Sequence, residues 1–249
     1  MAYFNYGGKK VYYGEKGEGS PLLMVHGNTA SARMLDSEID YYSQYFHVIY
    51  FDFPGHGRSE RLDQFCADFW RCNAEAAVIL LGQLGIESLQ AIGTSGGAMT
   101  VMNIATQKTK LFTKFIADSF FGNELTKEEV ERMKRSREKS KKETLPVAWW
   151  KKMHGDDWES IIDKEMEMLE RMADDPSQMI IGDVTKIESE TLFTCSPEDK
   201  LIPNIEARMR RLCEQMQHCR IEVFDGGAHP LMVTEKEKFR ALALDFLDK

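Results

Sequence analysis

Cysteine is scarce in this chain: five among 249 residues (Cys66, Cys72, Cys195, Cys213 and Cys219), with no Cys-x-x-Cys pair. An odd count leaves one thiol unpaired in any bridging scheme, so a disulfide-built scaffold is excluded and buried thiols in a reducing compartment are expected. Long apolar runs are missing too. The longest, Ala76 to Leu81, falls far short of the ~20 residues that cross a bilayer. The first ten residues have no apolar stretch behind a basic start, so no signal peptide is expected and the cytoplasm is the expected location. Positive charge is in deficit, 32 Lys and Arg against 40 Asp and Glu for a formal net charge of −8. That balance argues against nucleic acid or an anionic membrane as partner. Neither a His-Glu-x-x-His metal pattern nor a Gly-x-x-x-x-Gly-Lys phosphate loop occurs, so no metal or nucleotide cofactor is implied.

What is present has the composition of an ordinary globular protein, 43% hydrophobic and 29% charged. Lys10 to Gly14 is rich in strand formers. Continuous or near-continuous apolar runs follow at Leu22 to Val25, His47 to Phe51, Leu89 to Ile92, Phe112 to Ala117, Thr191 to Cys195 and Arg220 to Phe224. Helical spacing fills Asp63 to Leu84, Ala98 to Gln107, Ile205 to Met216 and Glu235 to Leu247, with room for a short helix between Ser31 and Tyr45. Unbroken apolar strands separated by helices imply an α/β fold, a mostly parallel central sheet covered on both faces.

Residues 122–190 differ. They are highly charged, hold Trp149, Trp150 and Trp158, and contain no strand pattern. Thr126 with Glu129 resembles a capping box, and a second helix from Trp158 to Met172 is ended by Asp175-Pro176. A helical insertion is expected here, dividing a core of residues 1–121 and 191–249. The run from Lys127 to Lys142 reads as a solvated helix face.

Gly93-Thr94-Ser95-Gly96-Gly97 lies between a strand run and a helix run. A serine on such a tight turn has its hydroxyl lifted off the sheet edge. By composition this pattern arises by chance in about one chain in ten of this length, so the partners decide its meaning. A serine needs a base. Of six histidines, His26 and His56 sit in glycine-containing turns, His47 opens a strand, His154 is in the insertion and His218 precedes a strand. Only His229 follows the last strand, in a glycine-rich loop. The base needs a carboxylate to orient it; Asp199, just past the strand ending at Cys195, is the first choice, with Glu198 and then Asp118 in reserve. Two backbone N–H groups for an oxyanion are available at Gly96 and in the His26-Gly27-Asn28-Thr29 turn. As single residues, each has an ordinary role as loop, cap or solvated side chain; their common placement at strand ends sets them apart.

Together these segments resemble the α/β-hydrolase superfamily over nearly the whole chain. The resemblance implies Ser95, Asp199 and His229 as catalytic triad in the family's order. It also implies Asn28 and Gly96 as oxyanion donors, and residues 122–190 as a helical cap. Asp52-Phe53-Pro54-Gly55-His56-Gly57-Arg58-Ser59 is similar to the superfamily's Asp-x-x-Gly-x-Gly-x-Ser turn and reads as structural. Trp149, Trp150 and Trp158 are candidates for a substrate pocket, or simply pack the cap onto the core. No His-Gly-Gly-Pro-Gly turn is present, against an iminopeptidase, and a serine nucleophile speaks against dehalogenases and epoxide hydrolases. The expected function is a cofactor-free carboxylesterase acting on a small ester, as monomer or homodimer. Thioesterase, amidase and C–C hydrolase chemistry use the same residues, and the fold also serves non-catalytic ligand binding.

Overall fold

Alternation along the inner strands sets the layering. In the computed structural model, which describes residues 2–247, eight strands form one sheet: β1 (Ala2–Tyr6), β2 (Lys9–Lys16), β3 (Pro21–Val25), β4 (His47–Phe51), β5 (Leu89–Thr94), β6 (Phe112–Asp118), β7 (Glu190–Cys195) and β8 (Cys219–Val223), in spatial order β1-β2-β4-β3-β5-β6-β7-β8. The pairs from β4 to β8 are parallel; β1 and β2 join antiparallel at one edge. Successive side chains point to opposite faces. Leu22, Met24, Ile92, Ile116 and Leu192 therefore enter one core with α1 (Asp36–Tyr42), α8 (Leu231–Thr234) and α9 (Lys236–Leu247). Leu23, Val25, Ala91, Phe115, Ala117 and Phe193 enter the other with α2 (Phe69–Gln83), α3 (Gly96–Gln107) and α7 (Ile205–Cys213). Both faces are buried, which is why these strands read as unbroken apolar runs.

Between β6 and β7 the described chain holds no strand, only α4 (Lys127–Ser140), α5 (Thr144–His154), α6 (Trp158–Asp174) and two short 3-10 turns. The Thr126–Glu129 capping box is formed. Two elements had no clear sequence reading. Strand β1 reaches β2 through a two-residue turn, Gly7 and Gly8, both with positive φ, and its signal is that Gly-Gly pair. Helix α5 carries Pro146 in its first turn, where the missing N–H costs no helical bond.

One expectation is corrected. Cys213 and Cys219 are joined by a disulfide, with Cα atoms 5.4 Å apart, while Cys66, Cys72 and Cys195 are free. The short turn from the end of α7 to the start of β8 brings the pair together. Among the described residues no helix is long and apolar enough to cross a membrane.

The turn after β4 is a buried electrostatic knot. Asp52 is fully buried and accepts from the Ala32 and Arg58 backbone N–H groups (2.7 and 2.8 Å) and from the Arg58 guanidinium (2.8 and 3.0 Å). Burial alone would raise its carboxyl, but the Arg58 hydrogen bonds and the charges of His26 and Arg58 hold it below the ordinary range. Gly57 has φ +51, and a Cβ there would run into the Asp52 carboxylate. Arg58 also lies 3.6 Å over the Tyr12 ring, and Ser59 ties the Asp52 carbonyl to the Tyr12 N–H. Asp52→Asn removes the only carboxylate paired with Arg58 among the described residues. It should lower folding stability by about 3 kcal/mol, read as a shift of the urea midpoint at unchanged slope.

Candidate active site

All the residues singled out for nucleophile, base and acid converge on the carboxyl edge of the parallel strands, where open α/β sheets place their sites. Ser95 follows β5 and opens α3 with φ 54 and ψ −120, a backbone region that side-chain-bearing residues avoid. Of the four described non-glycine residues with positive φ, Thr29, Ser95 and Ser119 lie at this edge. The turn is enforced by close packing. A Cβ on Gly93 would strike the Gly97 carbonyl, and one on Gly97 would strike the Val25 carbonyl of the neighbouring strand. A Cβ on Gly27 would stand 3.2 Å from the Ser95 Cβ. The Ser95 N–H is bound to the Asp118 carbonyl at 2.7 Å.

His229 Nε2 lies 2.8 Å from Ser95 Oγ, and its Nδ1 lies 2.7 Å from Asp199 Oδ2. The other Asp199 oxygen accepts from the Leu201 and Ile202 N–H groups at 2.8 and 3.1 Å, so the carboxylate is held at both ends. The Asp199 side chain is 2% exposed and that of His229 15%. Glu198 is exposed. Asp118, the other reserve acid, is buried and engaged elsewhere. It accepts from the hydroxyls of Thr94, Thr194 and Ser119 (2.7, 2.8 and 2.9 Å) and from the Met232 N–H at 3.2 Å. Burial raises its carboxyl above the usual range. Ser119 Oγ also accepts from the Leu231 N–H. Asp118 thus ties the ends of β5, β6 and β7 to the helix that follows His229.

The backbone N–H groups of Asn28 and Gly96 have no hydrogen-bond acceptor among the described residues, and Asn28 N stands 3.1 Å from where a Gly96 Cβ would be. Trp70 Nε1 holds the Asn28 side chain at 3.1 Å. The two donors therefore sit side by side next to Ser95. Above them opens a cavity of about 680 Å³, mostly apolar, reached by Ser95 and His229 and walled by Leu145, Pro146, Trp149, Trp150 and Arg137 among others. Of the three tryptophans considered for the pocket, Trp149 and Trp150 line it. Trp158 does not: it stacks behind Trp150 at 5.3 Å between centroids, with Ile162 and Val147. All three lie in the insertion, but of the two helices that carry them α5 faces the opening and α6 stands behind it.

Helix α5 is fastened at its carboxyl end. Arg33 donates to the Lys152 carbonyl (2.8 Å), Ser31 to Met153 (3.1 Å) and Arg61 to His154 (2.6 Å), satisfying carbonyls that a helix end leaves open. His154 accepts from the Gly57 N–H at Nδ1 and faces the Thr29 carbonyl through Nε2. His26 is wedged likewise between the Phe53 N–H and the Gly27 carbonyl. Burial depresses both rings to about 4, and each bonding pattern requires a neutral imidazole with one N–H. Between them, buried His56 contacts Glu165 at 3.2 Å. Burial would raise Glu165, but His56 and the charge of Arg137 hold it below the carboxylate range. His47 pairs with Glu15 at the far end of β4, and His218 precedes β8 at that same far edge.

Arg137 corrects the reading of Lys127 to Lys142 as a solvated face, because its side chain enters the cavity. The signal was available: Val130 and Met133 are buried, and position 137, seven and four residues on, falls on the same stripe. Glu165 was also missed, and it occupies the buried stripe of α6 with Ile161, Ile162, Met168 and Leu169.

Residues 22–242 match the alpha/beta hydrolase family, and the chain belongs to it. An (E)-2-((N-methylformamido)methylene)succinate hydrolase of Acinetobacter baylyi is 30% identical over 105 residues, 41% of this chain and 38% of that protein, so the match spans less than two fifths of the relative. Among solved structures, an N-acyl homoserine lactone degrading enzyme superposes with a TM-score of 0.77 at 18% identity over 98% of this chain and 100% of that one. An esterase from Exiguobacterium antarcticum gives 0.74 at 18% over 97% of each. A meta-cleavage product hydrolase from Pseudomonas fluorescens gives 0.73 at 17% over 100% of this chain and 97% of that one. At such identities these likenesses show the fold, which is that of the alpha/beta hydrolases.

The neutral histidines carry a pH signature. In the unfolded chain each titrates near 6.5, in the folded protein near 4. Between those values the unfolded state takes up protons that the folded state refuses, so stability is whole above the window and falls as pH drops through it. His154 should account for up to about 3 kcal/mol of that loss. Urea midpoints of wild type and His154→Gln at pH 7 and pH 4.5 should differ in slope, the variant being less acid-sensitive; equal slopes would refute the assignment.

Proposed function

We propose that the protein is a serine hydrolase that cleaves a small carboxylic ester through an acyl-enzyme. The observation that carries this reading is the chain of contacts from Ser95 Oγ to His229 to Asp199 at 2.8 and 2.7 Å. Ser95 Oγ attacks the ester carbonyl as His229 Nε2 takes its proton. Asp199 holds the Nδ1–H and stabilises the imidazolium that forms. The tetrahedral oxyanion is received by the N–H groups of Asn28 and Gly96, the latter at the amino end of α3, where the helix dipole adds to the effect. Collapse expels the alcohol, protonated by His229, and water releases the acid by the same route. Residues 122–190 act as the cap over a core of 1–121 and 191–249, with Trp149 and Trp150 against the acyl or alcohol group. We place the enzyme in the cytoplasm: three of its five cysteines are free, and the one bridge, Cys213–Cys219, closes only the short turn between α7 and β8.

A second reading keeps the triad and changes the bond. It draws on the Acinetobacter relative, whose name describes hydrolysis of an N-methylformamido compound; amide, thioester and C–C cleavage need no other residues.

A fluorophosphonate probe should label Ser95 in the folded protein and fail on Ser95→Ala; an unlabelled wild type would sink the hydrolase reading. Asp199→Asn should reduce kcat on p-nitrophenyl esters by about 10⁴, because Nδ1 loses the partner that fixes its tautomer. Asp118→Asn, which keeps the backbone carbonyl that holds the Ser95 N–H and changes a side chain in contact with neither Ser95 nor His229, should lose far less. The reverse order would reassign the acid.

A further inference from the structure

Withdrawing a guanidinium from water without a matching anion is costly, and Arg137, half-buried in the cavity wall, is partly in that position. Its only hydrogen bond among the described residues runs from Nη1 to the Met166 thioether at 2.8 Å, a weak acceptor. No ion pair reaches it among the described residues. Glu165 is the buried carboxylate whose charge it feels, but Glu165 is engaged by His56. The remaining N–H donors of Arg137 belong to a wall otherwise made of Leu145, Pro146, Trp149, Trp150 and Leu201. Burial pulls the guanidinium below its ordinary range, with Glu165 offsetting part of the effect. Such a cation is held ready for a ligand, because among the described residues no carboxylate hydrogen-bonds it.

We propose that the substrate carries a free carboxylate, remote from the scissile bond, which Arg137 receives in the cavity above Ser95. This rests on the reading of that cavity as the substrate pocket. A carboxylate is favoured over a point anion because the planar guanidinium fork matches two coplanar oxygens. The apolar walls suit a short methylene or vinyl spacer between the carboxylate and the reacting carbonyl. The substrate class is therefore a half-ester of a short dicarboxylic acid, or the corresponding amide under the second reading.

Binding can be separated from chemistry. Glutarate titrated calorimetrically into Ser95→Ala should bind, and its affinity should fall by about tenfold to a hundredfold when Arg137→Gln is added. Glutaramide should bind no better than to the double variant. In turnover, wild type should prefer the p-nitrophenyl half-ester of glutarate over neutral p-nitrophenyl valerate, and Arg137→Gln should lower that ratio at least tenfold, mainly through KM. Arg137→Lys, which keeps charge without the fork, should fall between. Arg137→Gln should melt no lower than wild type, since it removes an unmatched charge.

Glutarate binding that is absent, or unaffected by Arg137→Gln, would overturn the proposal. So would inorganic phosphate binding as tightly as glutarate, or an Arg137→Gln protein melting well below wild type, which would make the guanidinium structural. Should Ser95 resist the fluorophosphonate while glutarate still binds through Arg137, the hydrolase reading falls and the carboxylate site stands.

Discussion

A serine backbone at φ 54 and ψ −120 does not stay there unaided; such conformations cost about 1–3 kcal/mol and persist only where the surroundings over-determine them. Here the constraint is the contact between the amino end of α3 and the end of β3. Gly97 lies against the Val25 carbonyl and Gly93 against Gly97, so closely that no Cβ fits. Parallel pairing of β3 with β5 sets the distance, and the Ser95 N–H bonded to the Asp118 carbonyl fixes the height. With the turn locked, Ser95 Oγ has one direction to face. The N–H of Gly96 lies beside that of Asn28 for the same reason.

The other members of the site depend on this edge through Asp118. Hydroxyls from β5, from β7 and from Ser119 just past β6, with one backbone N–H from α8, converge on its carboxylate. Those bonds bind strand ends together and pin the helix that begins two residues past His229. The histidine loop is long and glycine-rich, and would otherwise have wide freedom. A buried carboxylate with four donors is a better anchor than an apolar contact, since each bond has a direction. Asp118 is thus at the centre of the arrangement and still outside the proposed proton relay.

Much of this was legible in the sequence because strand ends announce themselves. Ser95, Asp199 and His229 each follow a short strand run at a glycine- or proline-marked turn, and a parallel sheet collects such turns on one edge. The choice of Asp199 over Asp118 rested only on loop position, since both follow a strand. Both are buried, and they differ in partner: Asp199 faces His229, whereas Asp118 accepts from three hydroxyls and a backbone N–H. The insertion was harder to read. Its helices bury narrow stripes amid dense charge, so Arg137 and Glu165 look solvated unless projected onto the 3.6-residue period. Trp149, Trp150 and Trp158 share one composition but meet three environments, because the break between α5 and α6 turns Trp158 behind Trp150. The Cys213–Cys219 bridge escapes sequence reading because it depends on how tightly α7 turns into β8.

The buried polar layer beneath the insertion follows from the same economy of donors. His26 and His154 each accept from one backbone N–H and face one carbonyl, an arrangement that only a neutral ring satisfies, and burial keeps them neutral through ordinary pH. They fasten the Gly27 and Thr29 turn, the Phe53 turn and α5 without adding charge near the proposed oxyanion site. The charge that the layer does contain is divided: Glu165 is matched to His56, whereas Arg137 is left toward the cavity with donors to spare. A positive group in the wall and neutral rings behind the turn bias the pocket toward an anionic occupant. Helix α5, tied at its carboxyl end by Arg33 and Arg61 and carrying Leu145 82% exposed near its amino end, is the side of the wall with least to hold it. Entry past that amino end would bring a ligand first to Leu145 and Pro146, so an apolar spacer and a terminal carboxylate meet their partners in the same pocket as Ser95.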